Sequence, residues 1–436
     1  MSAINRIILA GNGFDIAHDL PTKYKNFIEW YWEKWKICLL RSENKVEDDG
    51  LFSFRLKDDV NLASWNLVWL YHYQIPFFFS NNVEKPDIVK LVRTDTQVCD
   101  FKSYSSFFDN ICAHIDKKGW VDIENEYYNA LNDDYFKVPE KLNKEFEIVK
   151  SNLIEYLNYI QKKNVTKSRI NLKLKNKILA PILINEVAIS ARDKLIDFIQ
   201  ARTTLDEKHV IDESSLSIND VLNPNNNNSK TLDFIKNCIS QMNEYGMASN
   251  TIIENAIYNN IVPDEMLYPN RIMLLNFNYT NMADMYIPQI QSFKDKFVIN
   301  HIHGNIDNPN SIIFGYGDEL DDRYSGLVKL NNNEYLSNVK SIKYLESDNY
   351  RRMLSFIDSA PYQAYIMGHS CGNSDRTLLN TLFEHKNCIS IKPFYYLKEN
   401  GTDNYLEIVQ NISRNFTDMK LMRDRVVNKT YCEPLL

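Results

Sequence analysis

The alternation of apolar and polar positions divides the chain into three stretches. Ile7–Ala10 is a short, continuous apolar run that enters Gly11-Asn12-Gly13 at once. Such a run predicts a strand buried on both faces, as in a parallel sheet, ending in a tight turn. Thr22 precedes an amphipathic aromatic stretch, Tyr24–Leu40, which predicts a capped helix. In the middle the period changes. Leu142, Phe146, Val149, Leu153, Tyr156, Leu157 and Ile160 recur at helical spacing within Val138–Lys163, and Ile184–Arg202 and Thr231–Tyr245 repeat it. From Arg271 onward short apolar or β-branched runs return, at Ile272–Phe277, Phe297–Ile302, Ile312–Phe314, Ala364–Met367 and Cys388–Ile391. Helical stretches lie between some of them, at Met282–Ile290, Asp348–Ile357, Ser374–His385 and Leu406–Arg414.

Strands alternating with helices argue for an α/β fold with a parallel sheet. The expected organisation follows. Residues 1–59 carry the first strand, turn and helix of the α/β domain, 60–265 form a large helical insertion, and 266–436 supply the remainder. The first strand is expected in the same sheet as the C-terminal strands. Asp212–Lys230, with its NPNNNN run and few apolar residues, reads as a flexible loop.

Bulk properties narrow the function classes. A chain of 436 residues with 44% hydrophobic content can bury a sizeable core. A net charge of −7 argues against a dedicated nucleic-acid binder, which needs a basic surface. The basic run Gln161–Lys177 reads as a solvated face. Seven cysteines without a C-x-x-C pair suit reduced thiols, not a disulfide framework or zinc cage. The first apolar run is too short for a signal peptide, and no segment is long enough to span a membrane. A soluble, cytoplasmic protein is therefore expected, with no membrane or nucleic-acid partner.

Five segments carry candidate chemistry. Gly11-Asn12-Gly13-Phe14-Asp15 follows a strand, and two glycines one apart let a backbone approach a phosphate. The third glycine of the dinucleotide fingerprint is absent, since Ile16 stands there, so a simple turn explains the pair equally well. Asn278 ends the run at 272–277, where ligands of open α/β sheets bind, and its amide suits a ribose hydroxyl or a water. A backbone-bonded turn former is the plainer reading. His303, backed by Gly304, sits at another strand end and can take a proton near neutrality. His301 two residues earlier raises a metal pair, but the companion ligands are lacking, and no metal is expected. Gly368-His369-Ser370-Cys371-Gly372 matches G-x-S-x-G, the nucleophile elbow. The histidine remaining downstream, His385, falls at the far end of the helix that the elbow would start, which defeats a triad. The segment reads better as a phosphate or ribose loop, with Asp375 behind it. Finally, Asp122 and Glu124 in GWVDIENEYYNAL read as a helix start favoured by the helix dipole.

Taken together, GNGFDIAHDLPTKYKNF at 11–27, GWVDIENEYYNAL at 119–131, LLNFNYT at 274–280, HIHGNID at 301–307, IIFGYGDE at 312–319 and IMGHSCGNSD at 366–375 resemble the bacteriophage abortive-infection AbiH family. That family in turn is distantly similar to sirtuin-like NAD-consuming folds. The resemblance implies a Rossmann-like, sirtuin-like sheet and an antiphage role in which NAD or a related nucleotide is bound and hydrolysed. It implies Asn278 and His303 as catalytic polar groups. It places Gly11, Asn12, Gly13, Phe14, Asp15, Gly304, Gly368, His369, Ser370 and Asp375 around the nucleotide. Three departures stand out. Asn12 and Asp15 replace the usual Ala and Ser, Thr280 replaces an Asp, and no four-cysteine zinc ribbon is present, which argues against protein deacetylation. A non-catalytic nucleotide sensor is the alternative. A phage-derived trigger and a homo-oligomer are compatible with either.

Overall fold

The computed structural model describes residues 2–41, 45–56, 99–118, 122–133, 138–164, 170–209, 229–287, 296–317 and 319–436. Gly119, Trp120, Asp318, residues 212–228 of the expected flexible loop, and the expected boundary at residue 60 lie outside them. The chain forms two compact units. One comprises Met1–His18, Ser168–Asn305 and Tyr344–Leu436; the other comprises Asp19–Lys167 and Ile306–Lys343. The segment 60–265 spans parts of both.

The first unit is built on a sheet that, among the described residues, has five strands: β1 (Asn5–Ala10), β5 (Ile272–Asn276), β6 (Phe297–His301), β7 (Tyr362–Met367) and β8 (Cys388–Phe394), in the order β6-β5-β1-β7-β8. Every neighbouring pair is parallel. The first strand is thus central, with Ile7 opposite Met273 on one side and Ala364 on the other. Its six residues are all buried, as are those of β7 and β8, so the polar members Arg6, Gln363, Ser390 and Lys392 are enclosed along with the apolar ones. Helices pack on this frame through apolar stripes. Arg376–Glu384 buries Leu378, Leu379, Leu382 and Phe383. Arg192–His209, Ser229–Tyr245 and Ser249–Tyr258 share a core with Ile4 and Ile389 from the sheet. Arg6 is wholly buried in β1, where its guanidinium donates to the carbonyls of Ile178 and Ala180 and to Gln363 and lies over Tyr365. Those donations satisfy a charge that would otherwise be costly to bury.

The second unit holds helices Tyr24–Arg41, Ser106–Lys118, Ile123–Leu131 and Pro139–Asn164. It also holds an antiparallel sheet of β2 (Glu47–Asp48), β3 (Phe52–Leu56) and β4 (Cys99–Ser103), which the helical pattern did not announce. Trp32, Phe52 and Phe108 pack around one another in its core. Asp122 caps the helix Ile123–Leu131 by accepting from the Asn125 amide. Glu124, in the first turn, accepts from the Gly315 amide and pairs with buried Lys340 at 3.0 Å.

Three predicted elements differ. Ile312–Phe314 is buried but, among the described residues, lies outside any strand. The Gly315 amide is taken by Glu124 and the Tyr316 amide by the Asn338 carbonyl. Ile184–Ala191 forms two short 3-10 turns ahead of the helix Arg192–His209. The Ala188 amide reaches across to Ile389, and the Glu186 carboxylate is drawn to Lys392 at 2.6 Å. The segment after β5 makes a 3-10 turn over Met282–Tyr286, the residues beyond Ile287 being outside the described set.

Candidate functional site

All the sequence-selected site residues belong to the first unit, in the loops that leave the carboxyl ends of β1, β5, β6 and β7. The strand order reverses beside β1, whose chain neighbours in sequence lie on one side and β7 and β8 on the other. In open parallel sheets that edge, at that reversal, is where ligands bind.

The loops after β1 and β7 lock together. The Gly13 amide donates to the Gly368 carbonyl at 2.8 Å, and the Gly11 amide to the Met367 carbonyl at 3.2 Å. A Cβ at Gly11 would lie 2.5 Å from His369 Cα, at Gly13 2.7 Å from Gly368 Cα, and at Gly368 2.1 Å from the Phe14 nitrogen. The glycines are therefore explained by backbone packed against backbone, and Gly368 adds a φ of +78°. Phe14 is buried against His18 and Tyr286, whereas Asn12 is exposed.

Asp15 closes the turn from beneath. Its carboxylate is 1% exposed and accepts from Thr280 Oγ1 at 2.6 Å and from Asn278 Nδ2 at 3.0 Å. The same Asn278 amide donates to the Gly11 carbonyl at 2.9 Å, so Asn278 ties the end of β5 to the first turn. Burial pushes the Asp15 carboxyl up to about 7, while Thr280 and Asn278 pull it down. Asn278 and Tyr279 remain half-buried above this base. Asn276 supports them, accepting from the Asn278 amide and donating to the Thr280 carbonyl.

Beyond β6, His303 is 3% exposed and is followed by buried Gly304 with φ +75°. Its Nε2 lies 3.2 Å from Asp375 Oδ1 and 3.1 Å from the Tyr344 hydroxyl. The other oxygen of Asp375 lies 3.4 Å from His369 Nε2. Phe277 packs its ring on both imidazoles. His369 Nδ1 accepts from the Cys371 amide at 3.0 Å. Cys371 is a buried non-glycine residue at φ +54°, a conformation that costs on the order of 1–3 kcal/mol and clusters at functional sites. Burial, reinforced by Asp375, lifts its thiol well above the ordinary range. The loop is fastened from the helix Tyr405–Arg414 and the residue after it. Asn411 donates to the Ser370 carbonyl and Asn415 to the Cys371 carbonyl.

The decoy elbow resolves accordingly. Ser370 is exposed, and His385 pairs with Asp358 at 3.2 Å. His301 faces Asp284, and among the described residues no group of three or more His, Cys, Asp or Glu is arranged to hold a metal. Cys38, Cys112, Cys238, Cys371, Cys388 and Cys432 are free thiols. Among the described residues no helix is long and apolar enough to cross a membrane. Sequence reasoning gave no site role to Tyr344 or Asn415, and it met Thr280 only as a departure from the expected pattern and Cys371 only as a member of the G-x-S-x-G motif.

A family model described as bacteriophage abortive infection AbiH matches residues 7–396, which include every one of these loops. The chain belongs to the AbiH family. The AbiH match carries with it membership of a phage-defence family. It stops ahead of Asn411 and Asn415, which fasten the late loop of this AbiH chain. No curated protein matches the chain. No solved structure matches it either.

Proposed function

We propose that this AbiH protein acts in phage defence by hydrolysing the N-glycosidic bond of NAD or a related nucleotide at the Rossmann-like, sirtuin-like edge of its parallel sheet. One observation carries the reading. Asn278, the Gly11 turn and the His303–Asp375–His369 cluster meet at the carboxyl ends of adjacent parallel strands.

Two positions at which this chain departs from the sirtuin-like pattern, Asp15 and Thr280, touch each other at 2.6 Å. In this reading Asp15 serves the ligand through Asn278.

Cleavage passes through an oxocarbenium-like state at the ribose C1′. The C1′–N bond breaks with its electron pair leaving on the nicotinamide nitrogen, water oxygen bonds to C1′, and His303 takes the proton of that water. Asn278 orients the ribose or the water, and Gly304, Gly368, Ser370 and Asn12 line the approach of the nucleotide. NAD loss would stop phage production by starving the cell.

The experiment is incubation of the purified full chain with NAD⁺ and a nucleotide panel, read by mass spectrometry. Release of nicotinamide, abolished by Asn278→Ala and His303→Ala, is the expected result. Intact NAD⁺ after prolonged incubation would remove the hydrolytic reading. A second reading, a nucleotide sensor without turnover, is favoured by the near-complete burial of His303, His369 and Asp375. Calorimetric binding with no product would select it.

A further inference from the structure

The amide donors of the first turn are spent inside the protein. The Gly11 amide bonds the Met367 carbonyl, the Gly13 amide the Gly368 carbonyl, and the Phe14 amide the Gly11 carbonyl. A turn that holds an anion needs such N–H groups aimed outward at it. Asn278 has the opposite polarity. Its backbone N–H donates to Asn276 Oδ1 at 3.0 Å, and its Nδ2 donates to the Gly11 carbonyl at 2.9 Å and to Asp15 Oδ1 at 3.0 Å. A peptide carbonyl only accepts, so the Gly11 contact fixes which end of the carboxamide is the NH2 group, and the two bonds use both of its hydrogens. What remains is the carbonyl oxygen, Oδ1. Among the described residues none donates to it, and it is not sealed from solvent. The rings on either side are covered, Phe14 by His18 and Tyr286 and Phe277 by His303 and His369, so neither gives a base a face to stack on. A bare neutral acceptor in that setting suits a small donor such as a hydroxyl, and it repels a phosphate, whose ionised oxygens only accept.

We infer that the corner between the first turn and the end of β5 is a sugar-hydroxyl subsite, with Asn278 Oδ1 as its acceptor, and that the phosphates of a ligand lie away from Gly11 and Gly13. Asp15 and the Gly11 carbonyl aim the carboxamide, and Asn278 alone of the three touches the ligand. The inference rests on the proposed nucleotide reading for the identity of the sugar, a ribosyl group, but not for the polarity of the corner.

The test uses the unsubstituted full chain, labelled with ¹³C and ¹⁵N at asparagine and glycine, and follows its resonances with inorganic pyrophosphate, ADP-ribose, adenosine and ribose 5-phosphate. In the free protein both Asn278 side-chain N–H protons should exchange slowly, since both are bonded. ADP-ribose should move the Asn278 Cγ resonance, which reports a new bond at Oδ1, while pyrophosphate should leave the Gly11 and Gly13 amides unmoved. The same Cγ shift with adenosine assigns the hydroxyl to the adenosine ribose, and with ribose 5-phosphate to the terminal ribose; either supports the subsite. Pyrophosphate that shifts the Gly11 and Gly13 amides overturns it. So does ADP-ribose that leaves Asn278 unmoved, or fast exchange of the Asn278 side-chain protons. Nicotinamide release from NAD⁺ with Asn278 unmoved by ADP-ribose would remove the subsite and leave hydrolysis standing. A shifted Asn278 beside intact NAD⁺ would do the reverse.

Discussion

Replacing Asp15 with asparagine isolates the energetics of the buried carboxyl under the first turn. In the fold this carboxyl is pushed up to about 7 by burial, against its bonds from Thr280 and Asn278. In the unfolded chain it titrates near 3.9. Between those values the folded protein keeps a proton that the unfolded chain has released. The contribution is therefore full below about pH 4, declines as pH rises, and is gone once pH passes the folded value. Each unit in the window is worth about 1.4 kcal/mol, so the wild type loses about 3 kcal/mol between pH 5 and pH 8 through this group. Asp109, pushed up to about 7 by burial in the other unit, adds a similar slope to the whole molecule, so only the difference between wild type and Asp15→Asn is informative. All six tryptophans fall in the sequence between residues 30 and 120, so tryptophan fluorescence has no reporter in the sheet unit. Hydrogen exchange of peptides covering β1 and β5 reads the right place. At each pH the protection of Asp15→Asn is divided by that of the wild type. The ratio should rise by on the order of a hundredfold from pH 5 to pH 8. A ratio constant within about threefold would refute the argument that burial governs this carboxyl.

Other expectations follow from single contacts. Gly368→Ala forces a Cβ to within 2.1 Å of the Phe14 nitrogen and should prevent the turn and loop from docking. Gly246→Ala, at φ +62° with nothing within 4 Å, should cost only about 1–2 kcal/mol in thermal unfolding. Lys340→Met leaves Glu124 buried without its cation and should destabilise the second unit by about 3–5 kcal/mol, whereas adding Glu124→Leu should recover only part of that, since the buried Gly315 amide then loses its acceptor, by tryptophan-monitored urea unfolding. Asp122→Ala removes the cap on Ile123–Leu131 and should cost about 1 kcal/mol in the same assay.

The sheet was legible where its strands are buried on both faces. Ile7–Ala10 and Ala364–Met367 have no polar alternation because both sides are covered, whereas Cys388–Ile391 carries Ser390 and is buried all the same. Which strand neighbours which is not contained in periodicity, and the central place of β1 is a property of the assembled sheet. The turn at Ile184–Ala191 was misread because helical spacing does not reveal that Glu186 will leave the pattern for Lys392, 206 residues away. Around the site, the strand-end residues were readable from local sequence, since Asn278 and His303 each follow an apolar run. Their partners were not. Asp375 and Tyr344 reach His303 only through tertiary closure, and the left-handed φ of Cys371 has no compositional marker. The glycines at 11 and 13 were noticed for the right geometric freedom, but that freedom is spent on the backbone of Gly368 and His369.

The central position of β1 also sets a timetable. Its partner strands begin only at Ile272 on one side and at Tyr362 on the other. A ribosome adding about 5–20 residues each second leaves this strand without either neighbour for tens of seconds. The loops of the candidate site come together only after β7 has emerged. A prematurely terminated chain ending before Tyr362 therefore carries Asn278 and His303 but lacks Asp375 and the loop that seats against the first turn. Assembly of this edge of the sheet therefore waits on residues made after Tyr362, the last to reach the first turn.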